Sequence, residues 1–365
     1  MARIDSLTLT PFEVPLASPF RIATMTNHAA SGVFISITAG GKTGWGECLP
    51  FHAINGENQA TVMASLRTLA PAIHGEDSRD LRRLIELCES ILPAQTTAIS
   101  GIDMALHDLA AQRAGLPLYR FLGGTKRELP TDLTIGILPP KEAAAKAKKI
   151  IDQGHEAIKI KLGDTPMNDA ERVATIREVA EDAILRVDAN QAYDRLTALH
   201  LLESIAELDI QFCEQPVKRN DYQGLAFLHQ NSTVPVMADE SCFSPSDAFA
   251  LLSQNCCNLI NVKLCKSGGI LRAQEIASIT QAAFGRCMMG GMAETRLGVT
   301  AAAHVASSHS AFHFFDLDAH QSHKEDVIDG GIQTVRGSVV LPEKAGLGAR
   351  PKQEFLDRFE TETLA

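Results

Sequence analysis

Apolar and polar residues alternate over residues 4–14 and 33–38, the period of strands with one buried face, and Gly40-Gly41 turns the second into residues 42–47 as a hairpin. Across residues 58–73, 80–92 and 98–114 the apolar spacing becomes helical, and Gly115-Leu116-Pro117 stops the last helix. This part of the chain predicts an α+β unit, a small antiparallel sheet followed by helices, ending near Gly123-Gly124.

After Leu129 the pattern changes to short apolar runs separated by helical stretches, the signature of repeated βα units and a parallel sheet. The runs occupy residues 132–136, 157–161, 184–188, 210–214, 236–239, 259–263, 286–289 and 312–316. Eight is the number that closes a barrel. Past Lys324, residues 330–341 read as short paired strands with Pro342 as terminator, expected to leave the barrel and rejoin the first unit. The predicted fold class is α/β: a (β/α)8-type TIM barrel over residues 125–324, capped by an α+β domain made of residues 1–124 and the returning tail, 325–365.

Size agrees with two domains, since 365 residues exceed one compact core but suit a barrel with a cap. A net charge of -10 disfavours nucleic acid, whose binding depends on clustered Lys and Arg, and the densest basic stretch, residues 141–149, reads as an exposed helix face. None of the eight cysteines forms a Cys-x-x-Cys pair, which fits buried free thiols in a reducing cytosol. The first twenty residues alternate as a strand does and lack the form of a signal peptide, and no apolar stretch is long enough to cross a membrane. A cytoplasmic protein is expected, with a homo-oligomer left open.

Candidate chemistry follows the same strand ends. Lys161, Asp188, Glu214, Asp239 and Lys263 recur at intervals of 27, 26, 25 and 24 residues, each at or just past the end of an apolar run. One βα unit takes about 25 residues, so the five meet at one end of the barrel. A single acid there could cap the following helix, but three in one barrel mouth are costly without a cation between them. Oxygen-only ligands favour a hard divalent ion, Mg²⁺, one per subunit. Lys159 and Lys161 alternate on one strand and so share its inward face. A metal and a second ammonium both favour a neutral amine, so Lys159 is expected to tune Lys161 as base. Asp316 and Asp318, also two apart, form a candidate socket for a cation such as the terminal ammonium of a short peptide. His304 and His309 lie on a predicted helix where packing explains them, and Lys266-Ser267-Gly268-Gly269 reads as the loop after the sixth strand.

Gly44-Trp45-Gly46-Glu47, Lys159-Ile160-Lys161, Asp188-Ala189-Asn190, Glu214-Gln215-Pro216, Ala238-Asp239-Glu240-Ser241 and Asn261-Val262-Lys263 occur jointly and in order. Across essentially its whole length the chain resembles the enolase superfamily, muconate lactonizing enzyme subgroup. The resemblance implies Mg²⁺ on Asp188, Glu214 and Asp239, with Asn190 and Glu240 supporting them, and a substrate carboxylate on that ion. It also implies Lys161 and Lys263 as acid/base groups on opposite faces of the adjacent carbon. Asp316-Leu317-Asp318 matches the Asp-x-Asp signature of the subgroup's dipeptide epimerases, where these acids bind the N-terminal amine, and residues 290–298 resemble that group's seventh-strand loop.

The expected activity is therefore Mg²⁺-dependent epimerisation at the C-terminal residue of a dipeptide. The alternative is a muconate cycloisomerase or o-succinylbenzoate synthase-like lyase, whose substrates carry no amine for Asp316 and Asp318. Side-chain preference is expected from loops at residues 16–30 and 49–58. Members similar to Ala-Glu epimerases are expected to hold the acidic side chain with an arginine in the first loop; here Met25 occupies that position, with Arg21 nearby. Glu294 would favour a basic side chain, and Met25 with Phe51 and Ile54 an apolar one. Ordinary loop packing accounts for each equally well.

Overall fold

The structure, a computed structural model, describes residues 2–364. Its N-terminal part is an antiparallel sheet in the order Glu362–Leu364, Ile4–Arg21, Thr26–Ala39, Lys42–Cys48. Helices Gln59–Ile73, Leu81–Ile91 and Thr96–Ala114 pack on it through a core that includes Leu7, Ile35, Leu66 and Leu106. The third helix lies unusually close to the hairpin strand. A Cβ at Gly44 would stand 2.1 Å from the Ala105 carbonyl oxygen, and one at Gly46 2.1 Å from that of Gly101, which is why both positions lack a side chain.

Residues 16–30, expected as a loop, instead prolong the first two strands into a ribbon. Phe20 and Arg21 pair with Asn27 and Thr26, an irregularity separates this pairing from Pro15–Ala29, and the Ile22 N–H donates to the Met25 carbonyl at 3.0 Å to close the turn. The cap thus reaches over the barrel as paired backbone.

Eight parallel strands follow in chain order around the barrel: Leu133–Ile135, Ala157–Lys161, Ile184–Asp188, Ile210–Glu214, Val236–Ala238, Leu259–Val262, Arg286–Met289 and Phe312–Phe315. No ladder joins the first to the eighth. The seam is bridged by the Asp132 N–H on the Phe315 carbonyl at 3.2 Å and the Leu317 N–H on Thr131 Oγ1 at 2.8 Å. Across it Arg186 Nη1 donates to Asp132 Oδ2 at 2.7 Å and to the Phe315 carbonyl at 3.1 Å.

Each of the first seven strands leads to a helix packed outside, but the eighth leads only to a single 3-10 turn, Ala319–Ser322. The expectation of eight complete βα units is corrected to seven and a final strand. Residues 319–327 have no helical apolar period, and their polar groups are used against the cap and the seventh-strand loop: the Lys324 N–H donates to the Pro15 carbonyl, and His323 Nε2 lies 3.1 Å from the Ala293 carbonyl. Beyond, Gln333–Val335 and Ser338–Val340 pair with each other and with Leu129–Pro130, Ile328–Gly330 pairs with Ala349–Pro351, and the last strand joins the cap sheet.

All eight cysteines are free and buried. His304 is buried too, accepting the Tyr119 N–H on Nδ1 and meeting the Leu347 carbonyl through Nε2, so it is structural. No helix among the described residues is long and apolar enough to cross a membrane.

Candidate active site

The alternation of side chains along a strand turns Lys159 and Lys161 into the barrel, where Lys159 is 1 % and Lys161 7 % exposed. Asp188, Glu214 and Asp239, at or just past their strand ends, have no exposed surface. Lys159 Nζ lies 3.1 Å from Asp188 Oδ2, 2.7 Å from Glu214 Oε2 and 2.8 Å from Asp316 Oδ2. Lys161 Nζ donates to Asp188 Oδ2 at 2.6 Å and to Asn190 Oδ1 at 3.1 Å, and Lys263 Nζ to Asp239 Oδ2 at 2.8 Å. Strands two and six of eight stand across the barrel from one another, so the Lys161 and Lys263 amines approach its axis from opposite sides.

The three strand-end acids share one arrangement. On each, one oxygen is held by a fixed donor: the Asn190 N–H on Asp188 Oδ1 at 3.0 Å, Asn261 Nδ2 on Glu214 Oε1 at 2.7 Å, and Lys266 Nζ on Asp239 Oδ1 at 2.7 Å. The other oxygen, Asp188 Oδ2, Glu214 Oε2 or Asp239 Oδ2, meets only ammonium groups among the described residues. Glu214 Oε2 accepts no hydrogen bond of acceptable geometry. Burial, and after it Asp188, pushes the Glu214 carboxyl up to about 7. The lysines here stand in for a cation, and three buried oxygens of this kind fit a hard divalent ion.

Burial alone would favour neutral lysines, but the acids overcome it. Asp316, Glu214 and Asp188 hold Lys159 well above the ordinary lysine range, and Asp239 and Glu214 do the same to Lys263. Lys159, expected to tune Lys161 as a second ammonium, is itself paired with three carboxylates. Asn190 and Glu240 are bonded to each other, Asn190 Nδ2 to Glu240 Oε1 at 3.2 Å, beneath the Lys161 contact. Burial, then Asp239, pushes the Glu240 carboxyl up to about 8.

Asp316 and Asp318 line the same cavity as Lys161 and Lys263, and a third acid, Asp132, joins them; one oxygen of each lies within 4.8 Å of the others. The trio is already partly compensated: Arg186 bonds Asp132, Lys159 bonds Asp316, and the Thr134 N–H donates to Asp318 Oδ2 at 2.7 Å. Among the described residues Asp132 Oδ1 has no hydrogen-bond partner. Burial, then Asp316, pushes the Asp318 carboxyl up to about 7, whereas the Lys159 ammonium outweighs burial at Asp316 and keeps its carboxyl low. Both acid sets could hold a cation. Three open oxygens suit a divalent ion at the strand ends, and the residual charge beside Lys159 and Arg186 suits a monovalent ammonium at Asp316 and Asp318.

Sequence reasoning passed over Lys266, Asp132 and Arg186. Lys266 sits three residues past Lys263 on the short helix Leu264–Ser267, and that spacing returns it to the same face. Arg186 is related to Asp188 as Lys159 is to Lys161, so the same alternation rule would have found it. Asp132 begins its strand, whereas the periodicity counted strand ends.

The cavity, about 350 Å³, is roofed by Leu16, Phe20, Ile22, Phe51 and Ile54. Met25 and Glu294 are not among the residues that line it, which agrees with the loop-packing alternative for both. Met25 lies in the turn of the ribbon, its carbonyl accepting the Ile22 N–H. Glu294 is buried under the seventh-strand loop, accepting the Met292 N–H at 2.6 Å and facing Cys265 Sγ at 3.5 Å, where it borders a small adjoining cavity that shares Gly291 and Asp316 with the first.

Residues 5–123 match the mandelate racemase / muconate lactonizing enzyme N-terminal domain, and residues 142–355 the enolase C-terminal domain-like family. The chain belongs to the mandelate racemase / muconate lactonizing enzyme family. Within it, the chain is 40% identical over 361 residues to a D-Ala-D/L-Ala epimerase of Cytophaga hutchinsonii, covering 98% of each chain. It is 39% identical to an L-Ala-D/L-Glu epimerase of Bacillus subtilis, covering 95% of this chain and 96% of that one. The crystal structure of the dipeptide epimerase from Cytophaga hutchinsonii, complexed with Mg and the dipeptide D-Ala-L-Val, superposes with a TM-score of 0.97 at 38% identity over 100% of both chains. The chain groups with the dipeptide epimerases of the family, which are isomerases.

Proposed function

We propose that the protein is an Mg²⁺-dependent dipeptide epimerase that inverts the α-carbon of the C-terminal residue. The observation that carries this reading is one cavity with two lysines approaching from opposite sides and an acidic socket, Asp316 with Asp318, beside them. Muconate and succinylbenzoate would offer that socket no ammonium.

The open oxygens of Asp188, Glu214 and Asp239 would hold Mg²⁺, which would supply positive charge to the substrate carboxylate. Asp316 and Asp318 take the dipeptide's ammonium and so fix the distance from that end to the reacting carbon. One of Lys161 and Lys263, as neutral amine, takes the α-proton; the C–H bond breaks, its electron pair moves into the enediolate, and the amine becomes ammonium. The other lysine, already ammonium, returns a proton to the opposite face, and the configuration inverts. Lys266 and Asn261 hold the outer oxygens of Asp239 and Glu214 so that the inner ones stay aimed at the axis. Phe20, Phe51 and Ile54 set apolar surface over the site. Eight unpaired buried thiols suit a reducing compartment, which supports a cytoplasmic enzyme.

Incubation of the enzyme with dipeptide libraries in D₂O and Mg²⁺ tests the reading. Exchange at the C-terminal α-carbon, a mass gain of one deuteron, is expected. No exchange with any dipeptide would overturn it. Lys161→Ala and Lys263→Ala should each lower the epimerisation rate by roughly 10²–10⁴-fold.

A further inference from the structure

We propose that the substrates are dipeptides whose C-terminal residue carries an apolar side chain, an inference that rests on the dipeptide-epimerase reading and adds the substrate class. Stereochemistry fixes where that side chain must point. Once the α-proton is lost, the three remaining substituents lie in one plane, perpendicular to the line joining the Lys161 and Lys263 amines. The carboxylate takes the direction of Asp188, Glu214 and Asp239. The amide nitrogen takes the direction of Asp316 and Asp318. The third direction belongs to the side chain. The barrel floor is closed to it, because Phe212, Met237, Leu259, Met288 and Phe314 fill the interior as a cluster of their own. The side chain therefore faces the roof.

That roof offers no charge. Its wall is Leu16, Phe20, Ile22, Phe51 and Ile54, with Met292 at its edge and Ser18 and Asn27 as its polar members. The ionisable side chains of the two roof segments are directed elsewhere. Arg21, His28 and His52 are exposed and outside the lining, and Glu57 is turned to Thr97 Oγ1 at 2.5 Å and Asn55 Nδ2 at 2.6 Å. The remaining cation of the lining, Lys146, donates to the Thr134 carbonyl at 3.0 Å, and Thr134 is the residue that bonds Asp318. It belongs to the ammonium end. A glutamate or lysine side chain at the roof would give up its water without a counter-charge, whereas a leucine or methionine side chain would bury apolar surface there. A cavity of about 350 Å³ is small for a binding site, near the lower end of the usual range, so the apolar wall is in reach of a side chain of that size. Because both configurations keep the side chain near the same plane, the L and D forms use one wall.

The wild-type enzyme, loaded with Mg²⁺, should be compared on L-Ala-L-Leu, L-Ala-L-Met, L-Ala-L-Glu and L-Ala-L-Lys by α-deuterium exchange. The expected kcat/KM for Leu and Met exceeds that for Glu and Lys by about 100-fold or more, the scale on which sites reject groups left unpaired. If Glu or Lys comes within about tenfold of Leu, the inference is overturned while the epimerase reading stands. No exchange with these four or with a wider library overturns that reading itself. A second measurement uses Asn27→Arg, which sets a cation at a polar position of the same wall. It should raise the Glu-to-Leu ratio of kcat/KM by at least about tenfold; an unchanged ratio in a variant with native circular dichroism means that the side chain does not face this wall, and overturns the inference.

Discussion

Lys266 has no exposed surface, yet it carries an ammonium whose three acceptors are Asp239 Oδ1, the Asp239 carbonyl and the Asn261 carbonyl. Its removal would leave a buried carboxylate short of one partner and two carbonyls without this donor, the situation in which a buried ion pair matters most. Lys266→Ala is expected to destabilise the protein by about 3–5 kcal/mol in urea unfolding. A loss below about 1 kcal/mol would mean that water or Lys263 replaces it. Asp318 gives a pH dependence. Its carboxyl is raised to about 7 by burial and by Asp316, so below that pH it holds a proton and the socket has one negative charge fewer. The kcat/KM for a dipeptide should rise with pH through about 7, then fall as the substrate's own ammonium deprotonates near about 8. Asp318→Asn should lose the acidic limb of that profile and keep the alkaline one. An acidic limb that survives the substitution would belong to another group.

At the scale of elements, the barrel strands were the most legible part of the chain. Residues 157–161, 184–188, 210–214 and 286–289 are strands at those boundaries, because a run buried on both faces between turn residues leaves little choice of conformation. Their ends also announced the acids and lysines, since alternation assigns each side chain a face before any contact is known. The ribbon at residues 16–30 was not legible. Ala17, Ser18, Pro19 and Thr24 interrupt any period, and its pairing joins backbone groups whose side chains have water on one side and a cavity on the other. Glu47 was hidden differently: it reads as the last polar residue of a hairpin strand, yet in the fold it accepts the Thr295 N–H at 2.7 Å, Thr295 Oγ1 at 2.6 Å and the Gly298 N–H at 2.8 Å. It thus caps helix Arg296–Ser308 from another domain, although burial pushes its carboxyl up to about 7. Glu47→Ala leaves three buried donors without that acceptor and should cost about 1–3 kcal/mol, read as a lower urea midpoint at unchanged m-value. A variant as stable as the parent would show that Thr295 caps the helix unaided.

For the whole molecule, the question is whether cap and barrel act as one body. Two buried acids of the cap reach across, Glu47 to the helix after the seventh strand and Asp103 to the Ile270 N–H that opens the helix after the sixth, while a third, Asp108, ties in the tail through the Leu347 N–H at 2.7 Å. Apolar packing is continuous as well, since Phe12, Phe34 and Leu49 of the cap belong to the same buried cluster as Ile160 and Val187 of the barrel. A roof tied in this way holds its position over the lysines, and the cap should not unfold while the barrel stays folded. Calorimetry should give a single transition. The ion acts on that same transition, because the open oxygens of Asp188, Glu214 and Asp239 are assembled only in the folded chain. Mg²⁺ at 100 times its dissociation constant should add about 2.7 kcal/mol of stability, raising Tm by a few degrees, and EDTA should reverse the shift. Asp188→Asn should abolish the response to Mg²⁺ while keeping a single transition. Two peaks, of which Mg²⁺ moves one, would mean that the barrel holds its ion without the cap, and the roof would then be a lid rather than a fixed wall.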